Sequence, residues 1–154
     1  MGTQTESFRL IEDSSLARLV RDLADAVVIC DPEGTIVFWN QAATVVFGWP
    51  AEEVMGRSLD VIIPTRLQAR HWSGYREVME SGHTEYGDKL LEVPAQHRDG
   101  HSISIAFTVS LLVPPGQTKP VGIAAVIRDD TVRWQERREL NARVRALTAA
   151  NAGT

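Results

Sequence analysis

His71 and Tyr75 stand four residues apart in the stretch from Pro64 to Tyr75. Residues four apart share one face of a helix, and Leu67, four before His71, extends that stripe. The stretch reads as a helix opened by Pro64, running to about residue 80 and closed by Ser81 and Gly82. An imidazole set in an apolar stripe can present a nitrogen ligand over a greasy pocket, an arrangement that suits haem iron. The same spacing serves a half-buried histidine that binds nothing, and spacing alone leaves both open.

No other grouping suggests a reaction. There is no Gly-rich phosphate loop, nucleophile elbow, Cys-x-x-Cys pair or zinc-protease helix. The acid pairs Glu52–Glu53 and Asp129–Asp130 stand at expected helix starts, where the macrodipole accounts for them. Cys30 is the single cysteine and follows the apolar run Ala26 to Ile29, so it reads as a buried inert thiol. His97 and His101 flank an Arg98-Asp99-Gly100 turn, where exposure is expected. Trp39, Trp49 and Trp72 read as packing residues, and Trp134 as a residue meeting a partner helix. The sequence therefore predicts no enzyme.

With 154 residues, 44% hydrophobic and 23% charged, the chain suits one soluble domain with short extensions. A net charge of -4 gives no field to attract nucleic acid or an acidic membrane. No apolar run approaches the roughly 20 residues of a membrane span, the N-terminus lacks a signal-peptide pattern, and one thiol fits a reducing compartment. A cytoplasmic location is expected.

The elements that must position His71 follow from periodicity. Apolar residues from Phe8 to Leu23 fit an amphipathic helix, at least from Ser14 or Ser15, with frayed residues before it. Ala26–Cys30 and Thr35–Trp39 form a hairpin about the turn Asp31–Gly34. Asn40 opens a helix that Gly48 ends, and Pro50 opens another. After the His71 helix come three strands: Tyr86–Val93, His101–Leu112 and Val121–Arg128. In the second, Ile103, Ile105, Phe107, Val109 and Leu111 alternate with small or polar residues. From Asp130 the chain is helical, and Leu140, Val144 and Leu147 mark a short coiled-coil seam that needs a partner. The last residues should fray.

This order of elements resembles a PAS domain: an α+β fold with a five-stranded antiparallel sheet and short helices on one face. The residues that carry the resemblance are Asp31 to Asn40, Phe47 to Trp49, Glu53 to Arg57, Arg98 to Gly100 and Arg128 to Thr131, the last a variant of the Asp-x-Thr ending that leads into signalling helices. The resemblance divides the chain into an N-terminal extension (1–14), a PAS sensor domain (15–131) and a signalling helix (132–154). Within that family, Ile63, Pro64, Arg70, His71, Gly74 and Tyr75 resemble the haem-binding (FixL-like) branch, in which the histidine of this helix ligates the iron.

The resemblance implies a gas sensor for O2, CO or NO, with haem b as cofactor and His71 as axial ligand. Tyr75 and Leu67 would stand beside it, with Leu91, Ile105, Phe107, Val109 and Ile123 on the opposing strands. It also implies a homodimer through the N- and C-terminal helices and a downstream effector domain or partner protein. One departure stands out. Aligned on His71 and Asp99-Gly100, the place of the arginine that hydrogen-bonds the gas or a propionate is held by Leu91. His83, Tyr86 and Lys89 are nearby donors, and Arg70 and Arg76 are further candidates for the propionates. The light-sensing flavin branch needs a cysteine near Gly56 to Asp60, where none stands. A PAS module binding another small ligand or a non-covalent flavin, and a cofactor-free dimerisation module, remain open.

Overall fold

A computed structural model describes residues 13–153. Helix α1 (Asp13–Asp22) leads into β1 (Ala26–Cys30) and β2 (Ile36–Trp39), followed by α2 (Gln41–Phe47), α3 (Ala51–Val54) and a 3-10 turn (Leu59–Ile62). The long helix α4 (Thr65–Ser81) precedes β3 (Leu91–Gln96), β4 (Ser102–Leu112) and β5 (Gly122–Asp129), and α5 (Thr131–Ala152) ends the described chain. The strands form one antiparallel sheet in the order β2-β1-β5-β4-β3. The expected architecture is therefore present. Phe8, Leu10 and Ile11 of the predicted N-terminal helix lie outside the described residues, as do the predicted frayed start and Thr154.

The strand after α4 departs from expectation. Tyr86 to Leu90 lie in a turn, and the strand is Leu91–Gln96 rather than Tyr86–Val93. Pro94 argues against a central strand, since it has no N–H for the ladder. β3 is a sheet edge with only β4 beside it, and an edge tolerates proline.

Residues directly opposite on neighbouring strands share a face. Leu91 faces Phe107, Phe107 faces Ile127, and Ile127 faces Ala26; Val109 faces Ala125, and Leu111 and Cys30 both face Ile123. These make the inner face, whereas Glu92, Ser102, Ser104 and Arg128 alternate to the outer one. Ala43 and Phe47 of α2 are fully buried in the same cluster as Ala26, Val28 and Ile127. That end of the sheet is sealed.

Asn40 holds the sealed end together. It is 2% exposed and caps α2, its Oδ1 accepting from the N–H groups of Val27 and Ala43. Its Nδ2 donates to the carbonyls of Val20 and Asp25. One side chain thus joins α1, β1 and α2. No helix among the described residues is long and apolar enough to cross a membrane. Asn40→Ala leaves two buried N–H groups unpaired, at about 1–3 kcal/mol each. We expect a loss of about 2–4 kcal/mol in urea unfolding; a loss below about 1 kcal/mol contradicts this role.

Candidate functional site

The inner face is unevenly covered. Ala26, Val28, Ile103, Ile105 and Ile127 are buried, but Leu91, Phe107, Val109, Leu111, Ile123 and Ala125 are only half-buried. By register these six are neighbours across β3, β4 and β5, so they make one contiguous apolar patch. Four of the five strand residues expected from the sequence fall in it. Ile105 sits one row further in, opposite Val93 and Asp129, and is buried in the core.

Helix α4 packs into the same core cluster that Phe107, Ile123 and Ala125 of the patch border. Its inward stripe is Leu67, His71, Trp72, Tyr75 and Met79, with Tyr75 and Met79 in the buried core and Leu67 and Trp72 packed against it. Three contacts fix it. The Tyr75 hydroxyl donates to the carbonyl of Asp31, just past β1. The Trp72 ring lies on Gly34, so close that a Cβ there would stand 2.1 Å from it, and its Nε1 donates to Asp60 Oδ1 at 2.7 Å. Gly82, which ends α4 at φ 68, lies against the Thr118 carbonyl in the β4–β5 loop. Gly34 itself adopts φ 85, so the tight turn and the ring's approach both need glycine.

His71 is half-buried on this stripe, its ring 4.6 Å from that of Trp72 and 5.8 Å from that of Tyr75. Its Nδ1 is buried and has no hydrogen-bond partner. Burial lowers its pKa below the ordinary 6.5, partly opposed by the Asp60 carboxylate, which raises it. The ring is thus kept neutral, the form that can ligate iron. A neutral imidazole with an unpaired, buried ring nitrogen fits the donor chemistry of an iron porphyrin.

The remaining candidates divide clearly. His83, Tyr86 and Lys89 are exposed before β3, and Arg70 and Arg76 are exposed on α4. Cys30 is buried on β1, and burial, with the Asp31 charge adding, pushes its thiol up to about 12, so it is inert. Trp134 is exposed and lies under the Arg138 guanidinium at 4.8 Å. His101 is exposed as expected, but the side chain of His97 is only 23% exposed. Gly48 lacks a Cβ that would strike the His97 ring at 2.4 Å, so the histidine folds in over α2 instead of facing solvent.

Two contacts tie α5 to the sheet, and of their residues only Asp130 and Thr131, in the Arg128–Thr131 ending, carried a sequence signal. The Arg137 guanidinium of α5 donates to both oxygens of Glu92, at 3.2 and 2.9 Å, across 45 positions. Thr131 Oγ1 accepts from Ser104 N–H at 3.0 Å, and Asp130 N–H donates to the Ser104 carbonyl at 2.8 Å. Leu91 points inward and Glu92 outward, so α5 is tied to the strand that lines the patch.

Comparison with known proteins bears on this geometry. A family model described as the PAS fold matches residues 14–129. An uncharacterised protein of Azorhizobium caulinodans is 30% identical over 85% of this chain and 18% of its own length. The oxygen sensor protein DosP of Escherichia coli is 27% identical over 79% of this chain and 15% of its own length. The sensor protein FixL of Bradyrhizobium diazoefficiens is 24% identical over 89% of this chain and 26% of its own length. The chain thus spans about a quarter or less of these relatives. A PAS-domain crystal structure from Colwellia psychrerythraea is 22% identical, covers 77% of this chain and 96% of that one, and superposes with a TM-score of 0.66.

Because the folded state holds His71 neutral while the unfolded chain protonates near 6.5, stability from this group is present above that pH and lost as pH falls below it. Titration followed by NMR should place the His71 midpoint below 6.5, and His71→Gln should flatten the fall in stability as pH drops below 6.5. A midpoint above 6.5 contradicts the burial argument.

Proposed function

This chain belongs to the PAS family, and on that footing we propose that it is a sensory signalling module that takes haem b through His71 and reads a diatomic gas. The observation that carries the proposal is the meeting of two things. A neutral, half-buried imidazole has an unpaired ring nitrogen, and its helix shares a core cluster with a contiguous apolar patch that stays half-buried among the described residues. The printed names of two relatives, an oxygen sensor and a sensor protein, support the same reading.

When bound, the group would supply an iron centre able to take a diatomic gas, with His71 holding it. Everything else falls to the protein. Leu67 and Tyr75 flank His71 on the helix, while Leu91, Phe107, Val109 and Ile123 would line the other wall, with Ile105 behind them. The wall is apolar, so water is disfavoured there and gas discrimination would rest on size more than on hydrogen bonding. Leu91 offers no donor, which would make the module less selective for O2 over CO and NO than one with arginine at this place.

The output path starts at the same strand. A shift of Leu91 moves its neighbour Glu92, and Glu92 holds Arg137 of α5. The bonds between Ser104 and residues 130–131 give β4 a second hold on the root of that helix. α5 exposes Leu140, Val144 and Leu147 along one side, and α1 exposes Leu16 and Leu19. We assign these faces to a homodimer that passes the signal to an effector domain or partner protein in the cytoplasm.

Purified protein given hemin should develop a Soret band that His71→Ala loses, with the variant still folded by circular dichroism. An unchanged band in His71→Ala contradicts the proposal, and a yellow flavin-loaded protein as purified would favour the flavin reading. Leu91→Arg should raise the oxygen affinity of the loaded protein about tenfold to a hundredfold through one charged hydrogen bond, and change CO affinity far less.

A further inference from the structure

At the β3–β4 hairpin, far along the chain from His71, three ligand-type side chains converge. The nitrogen or oxygen atoms that His97, Asp99 and His101 offer lie within 4.8 Å of one another. We infer that these three residues form a surface site for a divalent transition ion of the zinc class. Two imidazoles and one carboxylate are a donor set suited to such ions, with at least one position left for water or a further ligand.

The spacing supports this. Ligands about 2.0–2.2 Å from a tetrahedral zinc stand about 3.3 Å apart. His97 Nδ1 and Asp99 Oδ1 are 3.1 Å apart, already near that separation. His101 Nδ1 contacts the same oxygen more tightly and needs to open by less than about 1 Å. The two rings are stacked, with centroids 4.5 Å apart and planes 24° from parallel, so both present Nδ1 on the side of Asp99.

The hairpin holds the set in place. His97 N–H donates to the His101 carbonyl at 3.0 Å, and Gly100 N–H donates to the His97 carbonyl at 2.9 Å. The His97 ring is seated against Gly48, and Arg98 N–H donates to the Phe47 carbonyl at 2.8 Å. The first ligand is therefore preorganised by packing, while Asp99 and His101 remain open to solvent.

The polar contacts also leave something unsatisfied. His97 Nδ1 accepts from Asp99 N–H at 3.3 Å, so its lone pair is directed towards Asp99. Asp99 Oδ1 faces it at 3.1 Å with lone pairs of its own. Two such groups repel unless a proton or a cation lies between them. His101 Nδ1 contacts the same oxygen, so one cation placed there would meet all three groups.

The test is a zinc chloride titration of the tag-free full chain by calorimetry, with copper(II) electron spin resonance to count coordinated imidazoles. One equivalent should bind per chain, with two imidazoles on copper. His101→Ala or His101→Gln should weaken zinc binding about tenfold or more, with far-UV circular dichroism unchanged, and His83→Ala should leave binding as it was. Absence of binding, undiminished binding in both His101 variants, or equal loss in His83→Ala would overturn the site. Hemin plays no part in this measurement, so its outcome is independent of the reading of His71.

Discussion

The inner face of the five-stranded sheet is larger than the helix that seals it. α2 closes one end with Ala43 and Phe47, and Asn40 locks that closure by bonding to four backbone groups on three elements. Beyond it, α4 is held by side chains at the margin of the sheet, Tyr75 on the Asp31 carbonyl and Trp72 against Gly34 and Asp60. Half-buried Leu91, Phe107, Val109 and Ile123 retain apolar surface whose burial is worth about 25 cal/mol per Å². A ligand that covers them stabilises the fold without displacing any sealed part of the core. His71 stands on α4, whose inward stripe shares that core cluster, and the proposed cofactor would cover the patch.

The alternation of a strand then links that patch to the outside. Leu91 and Glu92 are consecutive, so one faces the patch and the other takes the Arg137 ion pair. Both partners of that pair are exposed, so it contributes little stability. Its value is positional, because it makes the angle of α5 sensitive to the tilt of an edge strand. β3 has one neighbour only and contains Pro94, and both features leave it easier to shift than β1 or β5.

Much of this was legible from residue patterns. The alternation from Ile103 to Leu111 gave the inner face of β4 directly, and Asn40 with Gly48 bracketed α2 to the residue. The Pro64 to Gly82 stretch gave α4 and its Leu67–His71–Tyr75 stripe. What failed was local in origin. Tyr86 and Leu90 suit a strand and extend the expected β3 five residues upstream, but Gly87, Asp88 and Lys89 between them favour a turn, while Pro94 argues against a strand that only an edge position permits. The inward seating of His97 depends on the missing side chain of Gly48, and the Glu92–Arg137 pair joins residues 45 apart. Neither leaves a trace in neighbouring residues.

The central claim is that the half-open end of the sheet, under His71, is where the cofactor lodges. Paramagnetic broadening of backbone amide signals on adding ferric hemin tests it directly. The account predicts that signals of Leu91, Phe107, Val109 and Ile123 broaden first, while those of Ala43 and Phe47 at the sealed end persist. Broadening confined to residues 97–101, where an exposed imidazole could capture iron at the surface, would contradict it.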